Sequence, residues 1–323
     1  MRGEQVEYPV RDGVPVFLSA EPATPAVLAG VKLTDLVAAA RAQGWMQALR
    51  SSFEHDAHLL KYITADSRGD FLGLLPLQAD ACVLEIGPGL GQMTRKLAKK
   101  ARRVDVMEIS EEQAQFVKLS CEQSGLDNVA VACGGDDCRL PYADEQFDLV
   151  VLNLVFEWCG SRFKGSHEAA QRTLLREMHR VLKKGGSLYL ATKNRFGLRL
   201  LMGKQDEHFH GMNFGSCLPR GLGAALLRRK GHARPTGYLY SFNELQSLLT
   251  ETGFGERRSY WPAPEARYPD RYIPVDALSI RQQRRATEFR QGHGRIENVL
   301  MKLVPAPMVR HLSHGLAVLA TKA

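Results

Sequence analysis

The nine residues Val83-Leu84-Glu85-Ile86-Gly87-Pro88-Gly89-Leu90-Gly91 decide the fold. An apolar run of strand length breaks into three glycines at alternate positions and passes straight into a helix-forming stretch, residues 92–101. Glycine reaches positive φ and carries no Cβ, so a turn of this kind lets bare backbone lie against a flat or bulky ligand. The dinucleotide fingerprint G-x-G-x-x-G sets a pyrophosphate on a helix N-terminus. Here the spacing is G-x-G-x-G, and Glu85 stands two residues before the first glycine. A carboxylate at the mouth of the turn opposes an anion and favours a cation. After a second apolar run, Val104-Asp105-Val106-Met107, comes Glu108. It falls about 20 residues beyond the glycines, at a strand end, where two carboxylate oxygens can accept both hydroxyls of a ribose. The combination predicts a nucleoside site whose third group is cationic or zwitterionic.

Outward from this turn the chain alternates strand and helix. Strands are predicted near 81–87, 103–108, 129–133, 147–153 and 187–193, with helices near 91–101, 111–124 and 167–182. Alternation at this period means an α/β fold with a parallel sheet and helices on both faces. Ligands of such open sheets bind at the carboxyl ends of the strands.

The pattern resembles motif I and the following acidic position of class I S-adenosylmethionine-dependent methyltransferases, and the resemblance continues downstream. Gly135-Asp136-Asp137-Cys138-Arg139-Leu140-Pro141-Tyr142 resembles the segment that holds the adenine in that family, with Asp136 at its usual acid. Phe147-Asp148-Leu149-Val150-Val151-Leu152-Asn153 resembles the fourth strand. Residues 174–184 and Gly185-Gly186-Ser187-Leu188-Tyr189-Leu190 resemble the helix, Gly-Gly turn and fifth strand of the small-molecule, type 11-like branch. The four ordered matches cover residues 81–193. The resemblance implies a doubly wound, mostly parallel, Rossmann-like sheet of seven strands, the last antiparallel between the fifth and sixth. It implies S-adenosyl-L-methionine as cofactor, bound by Glu85, Gly87, Pro88, Gly89, Gly91, Glu108, Ile109, Asp136 and Asp137. Asn153 would frame the methionine end.

Each signal has a plainer explanation. Three glycines can serve a tight turn alone. Glu108 precedes Ser110 and Gln113, a capping box, and acids near a helix start are favoured by its dipole. Asp136 or Asp137 can cap a turn through its own backbone. These explanations do not account for the joint placement of all of them on successive strand ends.

The 323 residues exceed one typical domain, so a core of roughly 200 residues with additions is expected. The boundaries read as an N-terminal arm and cap helices over 1–60 and a cofactor-binding core over 61–193. A first insertion on the acceptor side follows over 194–240, then a core helix and sixth strand over 241–261. A second insertion over 262–310 and a closing strand over 311–323 complete the chain. The arm is rich in proline, with one short strand predicted at 14–18, and residues 45–75 are expected to lie over the cofactor. The phrase Tyr8-Pro9-Val10-Arg11-Asp12-Gly13-Val14-Pro15 resembles the tail of a small zinc-ribbon domain sometimes fused ahead of bacterial methyltransferases. The metal-binding cysteines of that domain are missing, so no metal is expected.

Charged residues make up 24% and hydrophobic ones 44%, a globular composition rather than a disordered one. With 43 basic against 35 acidic residues the net charge is +8, a mild excess that suits an anionic partner. It lacks the clustering with stacking aromatics that marks a dedicated nucleic-acid binder. The six cysteines form no C-x-x-C pair and read as reduced. No apolar run suits a signal peptide or a membrane span of ~20 residues, so the cytoplasm is the expected location.

Methyl transfer from a sulfonium is an in-line displacement whose leaving thioether is neutral, so no catalytic acid is needed and positioning supplies much of the rate. A hydroxyl acceptor needs a base. The candidates are His208 and His210 in Asp206-Glu207-His208-Phe209-His210, with His208 first because an imidazole takes a proton near neutral pH. Glu157, after the fourth strand, could touch the acceptor or anchor the following loop. Tyr238, Tyr240, Trp261 and Tyr268 could line an acceptor pocket or belong to the core. The basic stretches Arg228-Arg229-Lys230 and 281–285 could bind phosphate or carboxylate, or be solvated helix faces.

The reading is a methyltransferase acting on a small molecule, such as a sugar, glycan precursor or secondary metabolite, with O-methylation ahead of N-methylation. A homodimer is compatible with it. The alternatives are an RNA or protein methyltransferase and a cofactor-binding subunit without turnover. Against methylation of base amines, Asn153 is followed by Leu154 and Val155 rather than by two prolines and an aromatic residue.

Overall fold

The computed structural model describes residues 7–19, 27–160, 163, 165–285 and 295–323. The expectations for residues 1–6, 20–26 and 286–294 lie outside the described residues. The chain divides into two compact units, 1–143 and 144–323.

In the first unit, helices Leu33–Gln43 and Trp45–Ser52 meet at Gly44, whose φ of +89° breaks the helical path. A third helix, Ala57–Thr64, starts where the Asp56 side chain accepts the Leu59 amide. Their apolar faces gather Leu36, Leu49, Phe53 and Ile63 around Phe116 of helix Glu111–Gln123. Three parallel strands follow: β1 (Cys82–Ile86), β2 (Arg103–Glu108) and β3 (Val129–Cys133), in that order. Every residue of β1 is buried, Glu85 included, which is why its other residues are apolar without alternation. Register sets Ile86 beside Met107 and Glu108 beside Cys133. Because the three strands run the same way, Gly87, Glu108 and Gly134 leave the sheet on one side.

The arm does form a short strand, Val14–Pro15, paired with Val10–Arg11. It then continues to an unexpected partner. Val16 bridges Cys133 in parallel, and the Phe17 amide donates to the Cys133 carbonyl at 2.7 Å.

In the second unit, β4 (Phe147–Asn153) and β5 (Leu182–Lys193) are parallel. β5 begins five residues before the expected 187, since the Gly-Gly pair lies inside the strand at a register shift opposite 147–149. Ser241 and Glu244 form the predicted capping box of helix Phe242–Glu251. Beyond it, β6 (Phe254–Glu265) turns into β7 (Tyr268–Pro274), and β8 (Gly315–Lys322) closes the unit, antiparallel to both β5 and β6. The order is β7-β6-β8-β5-β4. The α/β class and the antiparallel closing strand are as expected. The three strands of the first unit and four of the second account for the expected seven, and β7 is an addition. It was hidden by Pro269 and Pro274, which argue against a strand everywhere except at a sheet edge. A separate apolar cluster forms beyond β6, where Ile273, Ile280, Met301 and Val309 pack with Trp261.

Candidate functional site

The glycine turn is confirmed as a left-handed feature: φ is +68° at Gly87, +61° at Gly89 and +77° at Gly91. Gly89 and Gly91 do different work. A Cβ on Gly91 would meet Val117 at 3.3 Å, so this residue allows the turn to pack on helix Glu111–Gln123. A Cβ on Gly89 would meet nothing within 4 Å, so this residue faces open space. Pro88, between Gly87 and Gly89, is buried.

Glu85 is buried on β1, and its Oε2 accepts the Thr94 hydroxyl at 2.6 Å. Its Oε1 is buried with no hydrogen-bond partner. Burial pushes its carboxyl up to about 7, against the downward pull of Thr94, Arg68 and Arg95. Arg68, in the 66–74 segment expected over the cofactor, is therefore what that segment brings near Glu85. A buried carboxylate with an unmet oxygen beside a bare turn fits a ligand carrying positive charge.

Glu108 combines both of its readings. Its Oε1 accepts the amides of Ile109 and Ser110 at 2.8 and 3.2 Å, the helix-capping role, while Oε2 accepts the Gly89 amide at 3.2 Å. The acid thus braces the glycine turn. Asp137 caps its own turn, accepting the Arg139 amide at 2.9 Å. Asp136 is 6% exposed, and both of its oxygens accept from Ser19 of the arm, through the amide at 3.2 and 3.1 Å and through the hydroxyl. Nothing in the sequence signalled Ser19.

In the second unit a cavity of about 250 Å³ opens beyond the carboxyl ends of β4 and β5. Leu154 and Lys193 supply its sheet side, Arg199 to His208 one wall, and Glu265 to Arg267 with His314 the other. His208 is buried on this wall, its Nδ1 3.4 Å from Asp206 and its Nε2 without a hydrogen-bond partner. Burial pushes the Asp206 carboxyl up, but hydrogen bonds from His208 and Ser216 outweigh it and hold the group below its usual value. Asp206 thereby ties the start of the insertion to residue 216. Arg195 completes the tie, donating to the Ser216 and Leu218 carbonyls and to Glu244.

Burial pulls the Lys193 ammonium down to about 8, opposed by nearby Glu157. Lys193 is ion-paired with Glu207. Arg199 lies between Glu265 and Glu297, at 3.0 and 2.9 Å. Burial, reinforced by Arg199, drives His314 down to about 3, so it stays neutral. The cavity walls are therefore rich in charge, and Lys193, Arg199 and Arg267 are each ion-paired with a glutamate.

The remaining expectations fall elsewhere. His210 is exposed, bonded to the Arg234 carbonyl and stacked on His232 at 3.7 Å, and does not line this cavity. Glu157 is fully buried and accepts the Thr192 hydroxyl at 2.9 Å. Asn153 is buried at the tip of β4. Tyr240 stacks on Phe156 and Trp261 belongs to the core, while Tyr238 lies under Arg220. Arg228 and Arg229 are exposed, and Arg284 donates to the Met301 and Val304 carbonyls. Lys193, Arg199, Glu265, Arg267 and His314 carried no sequence signal of a common site. Among the described residues no group of three His, Cys, Asp or Glu could hold a metal, and no helix is long and apolar enough to cross a membrane.

A glycine turn follows the first parallel strand, with a buried acid before it and acids at or just beyond the next two strand ends. The family described as "Methyltransferase domain" matches residues 84–190. Its similar curated relatives include the biotin biosynthesis bifunctional protein of Cellvibrio japonicus, 33% identical over 122 residues, covering 38% of this chain and 22% of that protein. Malonyl-[acyl-carrier protein] O-methyltransferase 1 of Coxiella burnetii is 32% identical over 144 residues, covering 44% of this chain and 43% of that one. The tRNA 5-carboxymethoxyuridine methyltransferase of Escherichia coli K12 is 29% identical over 118 residues, 36% and 41% of the two chains. The matches span less than half the length of these relatives.

Proposed function

We propose that the protein transfers a methyl group from S-adenosylmethionine to an oxygen of a small, polar acceptor. The observation that carries the cofactor assignment is the unmet Glu85 Oε1 beside the open side of Gly89. Glu85 would attract the positive charge of the ligand, Gly87, Pro88, Gly89 and Gly91 would lie along it, and Glu108 with Ile109 would take the ribose. Asp136 would hold the base and Asp137 its turn. The bound cofactor supplies an activated methyl on sulfur. The protein's own part is to bind, orient and accept a proton.

The cavity of the second unit supports the acceptor half of the proposal. Its paired charges offer both donors and acceptors at little net charge, which suits a hydroxyl-bearing molecule better than the anionic one suggested by composition. The curated relatives include malonyl-carrier O-methyltransferases, whose names also point to oxygen. With Nδ1 turned to Asp206, the unpartnered Nε2 of His208 would be the acceptor for a hydroxyl proton.

Calorimetric titration tests the first half: S-adenosylmethionine and its demethylated product should bind, and NADH should not. Binding of NADH alone would reject the assignment. Incubation of a cell extract with protein and isotopically labelled cofactor, followed by mass spectrometry, should reveal a labelled methyl ether or ester. Label confined to RNA or protein would reject the small-molecule acceptor.

A further inference from the structure

The N-terminal arm reaches the strand end that carries Asp136, and it is held there by more than one contact. Val16 bridges Cys133, and the Phe17 amide bonds the same residue. A Cβ on Gly134 would stand 3.1 Å from the Phe17 Cβ, so the close pass of the arm requires a small residue at 134. Tyr8 packs its ring edge-on to Phe17 with centroids 4.8 Å apart, bracing the arm on itself. The path ends at Ser19, which is exposed, while the carboxylate it grips is buried.

We propose that Ser19 is a positioning residue for the cofactor's base. It fixes the Asp136 carboxylate with a backbone amide and a hydroxyl, so that the acid meets the 6-amino group of adenine in one set orientation. A carboxylate has about four lone-pair sites, so two donors from Ser19 leave capacity for an exocyclic amine. Unanchored, the side chain would have to surrender rotamer freedom on binding, and its preference for an amino group would blur. The inference rests on the assignment of Asp136 to the base. It gives the arm a task in ligand selection that neither the glycine turn nor the family segment supplies.

The test compares S-adenosylhomocysteine with its hypoxanthine counterpart, in which a carbonyl replaces the amino group and meets the carboxylate unfavourably. Affinities are measured by calorimetry on the full chain. The wild type should prefer adenine. Ser19→Thr keeps both donors and should retain the preference. Ser19→Ala, which loses the hydroxyl, should lower it about tenfold, and Ser19→Pro, which also loses the amide, should lower it further. Thermal melts at the wild-type temperature would show that these changes at an exposed position leave the fold in place. An unchanged preference in both Ser19→Ala and Ser19→Pro overturns the inference, and so does tighter adenine binding, which would make Ser19 a competitor. Asp136→Asn separates the two levels: if it leaves the adenine preference intact, the assignment of Asp136 itself fails, whatever Ser19 does.

Discussion

The two candidate regions are built by opposite means. At the glycine turn of the first unit, ligand-facing groups come from the ends of adjacent parallel strands, and much of the surface is backbone. In the cavity of the second unit, the walls come from four separated stretches and consist of long charged side chains paired with one another. The first surface is braced by buried acids that hold backbone amides and hydroxyls, as Glu108 and Asp136 do. The second is held in shape by ties such as Arg195 and Asp206, and its chemistry can change with a few side chains. Under the proposed function, the methyl donor would be recognised by backbone geometry and the acceptor by side chains.

The sharpest way to break this division is at His208. His208→Ala should lower turnover by about 10²-fold or more, the usual range for a general base, with cofactor affinity unchanged. Stopped or steady-state transfer of labelled methyl against calorimetry would separate the two, and full activity across pH would remove His208 from the mechanism. Next in size, Glu108→Ala should weaken cofactor binding by about 1 to 3 kcal/mol, since it loses charge-assisted bonds and unbraces Gly89. Unchanged affinity would mean that Glu108 only caps its helix.

A smaller effect distinguishes the glycines. Ala at 89 or 91 incurs the same kind of left-handed strain, of order 1–3 kcal/mol, but only Gly91→Ala also crowds Val117. Gly91→Ala should therefore lower the melting temperature more than Gly89→Ala, and equal melting temperatures would erase the difference between a packing glycine and a ligand-facing one.

The mildest prediction concerns pH. Glu85 sits at about 7 in the folded chain against an ordinary 4.5, so the folded state holds an extra proton between those values. Stability contributed by this group is therefore full below about 4.5, declines as pH rises through the window and levels off above 7. Binding of a cation must expel that proton, so cofactor affinity should rise across the same window. Glu85→Gln should flatten both curves, and a wild-type affinity independent of pH from 5 to 7 would exclude a charged Glu85 in the complex.

Legibility followed the same division. The turn, Glu85, Glu108 and the Asp136 segment could be read because strand, turn and helix are consecutive and their spacing is set by backbone geometry. The capping box at Ser241 was equally local. The cavity could not be read in this way: Lys193 and His314 stand far apart in sequence and meet only after β5 and β8 pair. His208 was singled out by residue type alone, and the same logic named His210, which the left-handed turn at φ +53° carries to the surface. Aromatic residues misled for a general reason, since Trp261 and Tyr240 are large enough to be claimed by the core.

β7 carries a consequence beyond its own unit. It pairs with β6 and is the outermost strand of its group, with Pro269 and Pro274 set opposite Pro264 and Tyr260. A proline has no amide hydrogen to offer, so a foreign strand arriving at this border finds gaps in the ladder it would need. The prolines that disguised the strand thus also weaken it as a template for further strand pairing.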